Sequence, residues 1–279
     1  MTNVNKIEER KELARQGLID YCHARGLSRA DFARIVDVSA ATISKIENRK
    51  WDDISDKLIN KVYNKVKNIT KVFETADCAA IVQMCNTARN KRFMLGLLAD
   101  TGMGKTTALT AFAACKNTYY ISYDKSMNPK QFFAALLKEM GISFDGSTHA
   151  ILNRVCTELN ELETPLLLID EASKLNHKMI LYLHELRDKT IKNCGIVLAG
   201  MPYFKENLIK HSERQREGYA EFYRRVNMWH ELEGLTRKEV EAVCGLHNIT
   251  DENFIRELRN KKRFGDLMNE ILLHQIINE

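Results

Sequence analysis

No run in this 279-residue chain is apolar for long enough to cross a bilayer, and its start, MTNVNKIEERKELARQG, has no apolar signal core. Both absences point to a cytoplasmic protein with no membrane partner. C-x-x-C pairs are also missing. The seven cysteines (Cys22, Cys78, Cys85, Cys115, Cys156, Cys194 and Cys244) are odd in number and scattered. Such spacing excludes a disulfide framework or a zinc site and fits reduced core thiols. His177 and His184 lack thiol or carboxylate partners at ligand spacing, so metal binding is not expected of them. No Gly/Ser-rich linker divides the chain, which leaves any boundary near residues 70–75 soft. Hydrophobic residues make up 44%, enough for a sizeable core and too many for wholesale disorder.

The net charge of +5 is modest, but its distribution is uneven. Residues 1–71 carry 15 Lys/Arg and 10 Asp/Glu, while the rest of the chain has 27 of each. The positive excess therefore lies in the first quarter, where it suits an anionic partner such as duplex DNA. There, GLSRADFARIVDVSAATISKIENRK, Gly26 to Lys50, reads as two short helices with a break at Asp37-Val38-Ser39. Ser28 and Ser39 suit the two N-caps. The stretch resembles the phage-repressor helix-turn-helix, with Ala33 where the helices cross and Val38 at the turn. Helix 39–48 exposes Ala40, Ala41, Thr42, Ser44, Lys45 and Asn48, of which Asn48 alone suits base reading. Arg29, Lys45, Arg49 and Lys50 look like phosphate clamps, with Thr42 beside them. Weak sequence preference and steep salt dependence follow. Residues 54–72 read as a basic amphipathic helix.

RFMLGLLADTGMGKTTALTAFAACK reads as strand, loop, helix. Phe93 to Leu98 is an apolar run suited to a buried parallel strand. The loop is a Walker A pattern, G-x-x-x-x-G-K-[ST], with Ala99 in place of the first glycine. Gly102 and Gly104 suit a backbone that turns its N–H groups to phosphate. Lys105 would reach the β and γ phosphates of ATP, and Thr106 would offer its hydroxyl to Mg²⁺. Thr101, Met103 and Thr107 complete the cradle. Ala99 costs something only if its position demands a positive φ. In TPLLLIDEAS, a second apolar strand ends in Asp170, suited to Mg²⁺, and Glu171, suited to polarising the attacking water. NTYYISYDK reads as a further strand, NPKQFFAALLKEMGI as a helix, and Ile196 to Ala199 as one more buried strand. LTRKEVEAVC starts a helix with Thr236 and Glu239 in capping-box spacing.

These motifs resemble the AAA+ ATPases. The resemblance implies a polar sensor after strand 196–199, where this chain has Ala199-Gly200-Met201. It implies a trans-acting arginine finger at Arg224 or Arg225, with Arg214 and Arg216 in reserve. In KKRFGDLMNEI, Met268 takes the slot of a second sensor arginine, which Arg263 or Arg259 would replace. The order of parts, and the run from Thr75 to Thr107, is similar to the MuB-type transposition ATPases and more distantly to TnsC- and IstB-like regulators. That resemblance implies ATP-dependent homo-oligomers or filaments on double-stranded DNA, delivery of that DNA to a DDE-type transposase, and disassembly on hydrolysis. It also implies DNA contacts at Lys125, Lys130 and Tyr123.

The expected fold is therefore an α/β AAA+ P-loop NTPase core with a parallel sheet (71–233). An all-α helix-turn-helix domain (1–70) precedes it, and a small C-terminal helical lid (234–279) follows. Three other readings stand beside target capture. One is a helicase loader or replication initiator, and one an operator-specific regulator with an ATPase switch. The third is an inactive scaffold, suggested by Ala99, Ala199 and Met268 and opposed by the intact Lys105, Thr106, Asp170 and Glu171.

Overall fold

The computed structural model describes residues 3–25, 27–52, 54–66 and 74–277. The soft boundary predicted near residue 70 and the end of the predicted 54–72 helix lie outside the described residues.

The chain begins with α1 (Asn3–Arg25), α2 (Arg29–Val36), α3 (Ala40–Glu47) and α4 (Asp56–Val66). Ser28 and Asp31 form a reciprocal capping box at the start of α2. Asp37, at φ 55°, ends α2 in the left-handed region, and Ser39 caps α3 by accepting from the Thr42 N–H. The long α1 did not stand out in the sequence, because few apolar side chains mark it. Ala14, Leu18 and Tyr21 are its inward face, packed with Phe32, Ile43 and Val62. The predicted turn residue Val38 is half-buried against this cluster.

Three cations tie this helical unit to the rest of the chain. Arg25 is 5% exposed. It donates to the Thr118 carbonyl and the Tyr21 hydroxyl, and lies 5.3 Å from the Tyr119 ring. Arg34 donates to the Gly141 carbonyl, and Lys65 grips both Glu139 oxygens at 2.6 and 2.7 Å. Glu139 and Gly141 lie at the C-terminal end of α7 (Pro129–Glu139), where free carbonyls and the helix dipole favour positive charge.

The core is a five-stranded parallel sheet in the order β2-β3-β4-β1-β5. Its strands are β1 (Met94–Leu98), β2 (Thr118–Ser122), β3 (Leu166–Asp170), β4 (Gly195–Gly200) and β5 (Val226–Glu231). Side chains alternate between faces. Leu95, Leu97, Leu166, Leu168 and Val197 pack against α5 (Ala76–Lys91) and α6 (Lys105–Phe112). Met94, Leu167, Ile169 and Ile196 pack on the other side, against α7, α8 (Thr148–Glu161) and α9 (His177–Thr190). Burial on both faces explains why β1, β3 and β4 read as unbroken apolar runs. Phe93, expected in the buried strand, lies just before β1 and is partly exposed. Edge strand β5 buries fully only Val226, so its sequence shows no apolar run.

Helix α5 crosses β4 so closely that a Cβ on Gly195 would stand 2.3 Å from the Ala88 carbonyl oxygen. Backbone cannot swing away as a side chain can. Gly195→Ala is therefore expected to destabilise the fold by about 1–3 kcal/mol, read as a lower urea midpoint at unchanged slope.

After β4 come α10 (Tyr203–Glu213) and α11 (Tyr219–Arg225). A small three-helix lid follows, α12 (Arg237–Leu246), α13 (Glu252–Leu258) and α14 (Phe264–Ile277), with its own apolar cluster. Thr236 and Glu239 form the expected capping box. Glu239 also accepts from the Ala76 N–H at 2.6 Å, and Asp77 accepts from the Glu233 and Gly234 N–H groups at 3.1 and 2.9 Å. The lid is thus pinned to the start of α5. Among the described residues no helix is long and apolar enough to cross a membrane, and no cluster of potential ligands could hold a metal in the manner of a His/Cys site.

Candidate functional site

Strand β1 lies inside the sheet between β4 and β5, and the chain then crosses to the far edge at β2. Ligands of open α/β sheets lie at such a switch, beyond the C-terminal ends of the strands. The loop after β1 occupies that place. Gly102 and Gly104 have φ of 81° and 87°, a region barred to most side chains, and Gly104 is the N-cap of α6. The positive end of α6 therefore faces the loop. Ala99 is not among the positive-φ residues. It is 1% exposed, packs with the α5/α6 cluster and donates its N–H to the Gly200 carbonyl at 3.1 Å. The missing glycine leaves no strain.

Lys105 Nζ donates to the Ala99 and Asp100 carbonyls at 2.6 and 2.8 Å. Burial lowers its pKa, and the carboxylates of Asp170, Glu171 and Asp100 oppose that shift. Thr106 Oγ1 donates to Asp170 Oδ2 at 2.6 Å. Asp170 is 1% exposed, and its other oxygen accepts from the Glu171 N–H at 2.8 Å. A hydroxyl beside a carboxylate is a hard oxygen set, which fits Mg²⁺. Glu171 adopts a left-handed φ of 58°, which turns its side chain out of the strand and into the cavity mouth. There it meets Lys174 Nζ at 3.1 Å.

These groups line a cavity of about 590 Å³ with Thr101, Met103, Thr107, Met201 and Tyr203. An adjoining cavity of about 310 Å³ lies between α5, α6 and the lid. It is walled by Ile81, Leu235, Val243, Phe264 and Met268, with Asp77, His247 and Lys262 at its rim. Met103, Gly104, Thr107 and Phe264 line both. A compartment lined by the glycine loop, Lys105, Lys174, Asp170 and Glu171 and opening on an apolar slot matches the two ends of a nucleotide.

The end of β4 offers no polar side chain. Ala199 is buried, and Met201 donates its N–H to the Ser173 hydroxyl at 3.3 Å. Of the two candidates for the second sensor arginine, Arg263 lies just before α14 rather than within it and pairs with Asp100 Oδ2 at 2.8 Å. Arg259 turns instead to Glu241 at 2.8 Å. The Gly265 N–H donates to the Gly102 carbonyl at 2.8 Å, so lid and loop are directly bonded.

The structure separates the candidate arginine fingers. Arg225 forks onto Asp188 of α9, at 2.7 and 3.2 Å. Arg224 is exposed and makes no ion pair among the described residues. Arg216 lies over the Tyr219 ring at 5.3 Å, and Arg214 is exposed.

One expected DNA contact needs correction. Tyr123 is 1% exposed and packs edge-on against Phe132, so it belongs to the core. Asn48 is exposed and donates to the Ser44 carbonyl at 2.8 Å. Lys130 pairs with Asp145 at 3.0 Å, Arg49 with Glu12 at 2.7 Å, and Arg29 with Glu47. Thr42 shares a hydroxyl bond with Ser39 at 2.8 Å, and Lys45 is half-buried. Lys125, Lys50 and Lys57 are exposed, without an ion pair among the described residues.

Sequence reasoning missed three groups. Lys174 was visible as the third residue after Glu171 in EASK, but was not weighed. Tyr203 follows the strand that lacks a sensor. Tyr120, whose hydroxyl donates to Asp170 Oδ2 at 3.0 Å, has no signal without the strand register.

Comparison with known proteins agrees with this geometry. Residues 88–208 match the family model described as AAA domain. No curated protein matches the chain. Among solved structures, a DNA replication initiation factor is 17% identical with a TM-score of 0.49, over 75% of this chain and 64% of that one. The ORC2 protein of Aeropyrum pernix, solved as ADPNP–ADP complexes, is 11% identical with a TM-score of 0.51, over 66% of this chain and 56% of that one. The chain thus spans less than two thirds of the length of both. Over residues 88–208 the chain is thus similar to an AAA domain, and it has an α/β P-loop fold with a five-stranded parallel sheet.

Proposed function

We propose that this protein binds and hydrolyses ATP between its glycine loop and its lid, and that the bound nucleotide controls its assembly on duplex DNA. The observation that carries this reading is the phosphate compartment, with Lys105, Thr106, Asp170 and Glu171 at its wall, opening on the apolar slot under the lid.

Each residue then has a role. Lys105 exchanges the Ala99 and Asp100 carbonyls for β- and γ-phosphate oxygens. The N–H groups of the loop and the start of α6 cradle the same anion. Thr106 and Asp170 would hold Mg²⁺, which when bound neutralises charge on the phosphate oxygens. Glu171 accepts a proton from the attacking water. Arg263 and the Gly265 N–H pass the state of the loop to the lid. Arg224, exposed at the end of α11, is the finger for an adjacent subunit, and the lack of a polar group after β4 makes turnover depend on that neighbour.

The DNA side of the proposal rests on the N-terminal unit. Helices α2 and α3 meet at the Asp37 turn, and the start of α3 is exposed. The start of α3 presents Ala40, Ala41 and Thr42, none suited to bidentate base reading, which argues for backbone contact without strong sequence choice. Delivery of the DNA to a DDE-type transposase is supported by the sequence resemblance alone. A replication initiator or helicase loader is the second reading, and it has the fold likeness to the ORC2 protein on its side.

Electron microscopy on long non-specific duplex DNA tests the assembly. With ATP, continuous protein along the DNA is expected; with ADP, or with Lys105→Ala, bare DNA. Occupancy of a few fixed positions whatever the nucleotide would replace the proposal with an operator-binding regulator. Acceleration of hydrolysis by a transposase, or by a replicative helicase, then separates the two finer readings.

A further inference from the structure

Parallel pairing sets Ser122 beside Asp170 and Tyr120 beside Leu168 on adjoining strands β2 and β3. Registered neighbours in a parallel sheet share a face, and residues two apart along a strand do too. Tyr120 thus lies on the face of Asp170, one step back along the next strand. This is also the α6 side, where Tyr120 packs at the margin of the cluster holding Ala108 and Leu109. A phenol is long enough to span the diagonal, and its hydroxyl reaches Asp170 Oδ2 at 3.0 Å.

That oxygen also accepts from Thr106 at 2.6 Å, while Oδ1 takes the Glu171 N–H at 2.8 Å. The carboxylate, 1% exposed, is therefore held by three donors. In the proposed nucleotide complex Thr106 would be committed to the metal, which leaves Tyr120 as the one side-chain donor among the described residues that still fixes Oδ2. A phenylalanine would pack equally well against the apolar margin but could not do this.

We infer that Tyr120 is a positioning residue for the metal-binding carboxylate: it orients Asp170 toward the divalent cation of the bound nucleotide. This rests on the ATP reading above. Carboxylate ligands are commonly held by outer hydrogen bonds of this type.

The test is Tyr120→Phe, which removes one hydroxyl, with ADPNP titrated in excess MgCl₂ and again in EDTA. Mn²⁺ titrated into the protein–ADPNP complex and followed by electron paramagnetic resonance gives the metal affinity directly. The variant is expected to bind Mn²⁺ roughly ten-fold more weakly, and to lose a similar share of the Mg²⁺-dependent gain in ADPNP affinity, with binding in EDTA unchanged. Wild-type Mn²⁺ affinity in the variant would overturn the inference. So would an equal loss with and without metal, which marks a general packing defect. Wild-type protein that binds ADPNP in neither buffer would instead overturn the nucleotide reading, and the inference with it.

Discussion

Glu171→Gln is expected to lower kcat for ATP hydrolysis by about 10²–10³-fold while ATP still binds. The amide matches the carboxylate in size and can still accept a bond from Lys174, so the cavity wall is preserved. What it cannot do is take a proton from water. The left-handed backbone at Glu171 is unchanged by the substitution, because φ of 58° costs Gln about what it costs Glu. Phosphate release under saturating ATP gives kcat, and equilibrium titration with a fluorescent ATP analogue gives affinity. A variant that hydrolyses at the wild-type rate would remove Glu171 from the chemistry. On DNA the same variant should form assemblies that persist, since hydrolysis is the proposed route to release.

Lys105→Ala is expected to lower kcat/KM by at least about 10²-fold, through loss of a preorganised cation at the transferring phosphate. Unlike Glu171→Gln, it should also weaken nucleotide binding, because the ammonium meets the β phosphate in both ground and transition states. A companion observation follows from pH. Burial depresses the Lys105 pKa below the ordinary lysine value. The charged form is needed for phosphate, so it is fully present at low pH and lost as pH rises through that lowered pKa. The alkaline limb of kcat/KM, which reports the free enzyme, should fall at a pH below that of an ordinary lysine. It should vanish in Lys105→Ala. A limb that survives the substitution would belong to another group.

Much of this site was legible in the sequence because its parts are local. Gly102 and Gly104 are glycines since the loop takes φ of 81° and 87°, and Thr106 follows Lys105 since both belong to the first turn of one helix. Asp170 and Glu171 announce themselves as charges ending an apolar strand, and Thr236 and Glu239 as a cap. The DNA contacts were less legible. The resemblance puts Tyr123 among the DNA contacts by its place at the end of the strand after Walker A, yet its ring is directed inward onto Phe132. Arg224 and Arg225 are indistinguishable as letters. One turn of α11 sends the second toward Asp188, 37 positions away in the chain, and leaves the first in solvent.

The sequence by itself determined the buried strands β1, β3 and β4, the caps at Ser28, Ser39 and Thr236, the phosphate loop and the identity of its charged residues, because each depends on neighbours within a few positions. Tertiary structure alone decided which strand lies beside which, and hence that Tyr120 meets Asp170, that Arg25 closes on the Thr118 carbonyl, and that the lid bonds the loop through Gly265. The physical reason is periodicity. An alternation of two or a turn of 3.6 residues tells a side chain which face to take, but carries no information on what the packed chain will set opposite it.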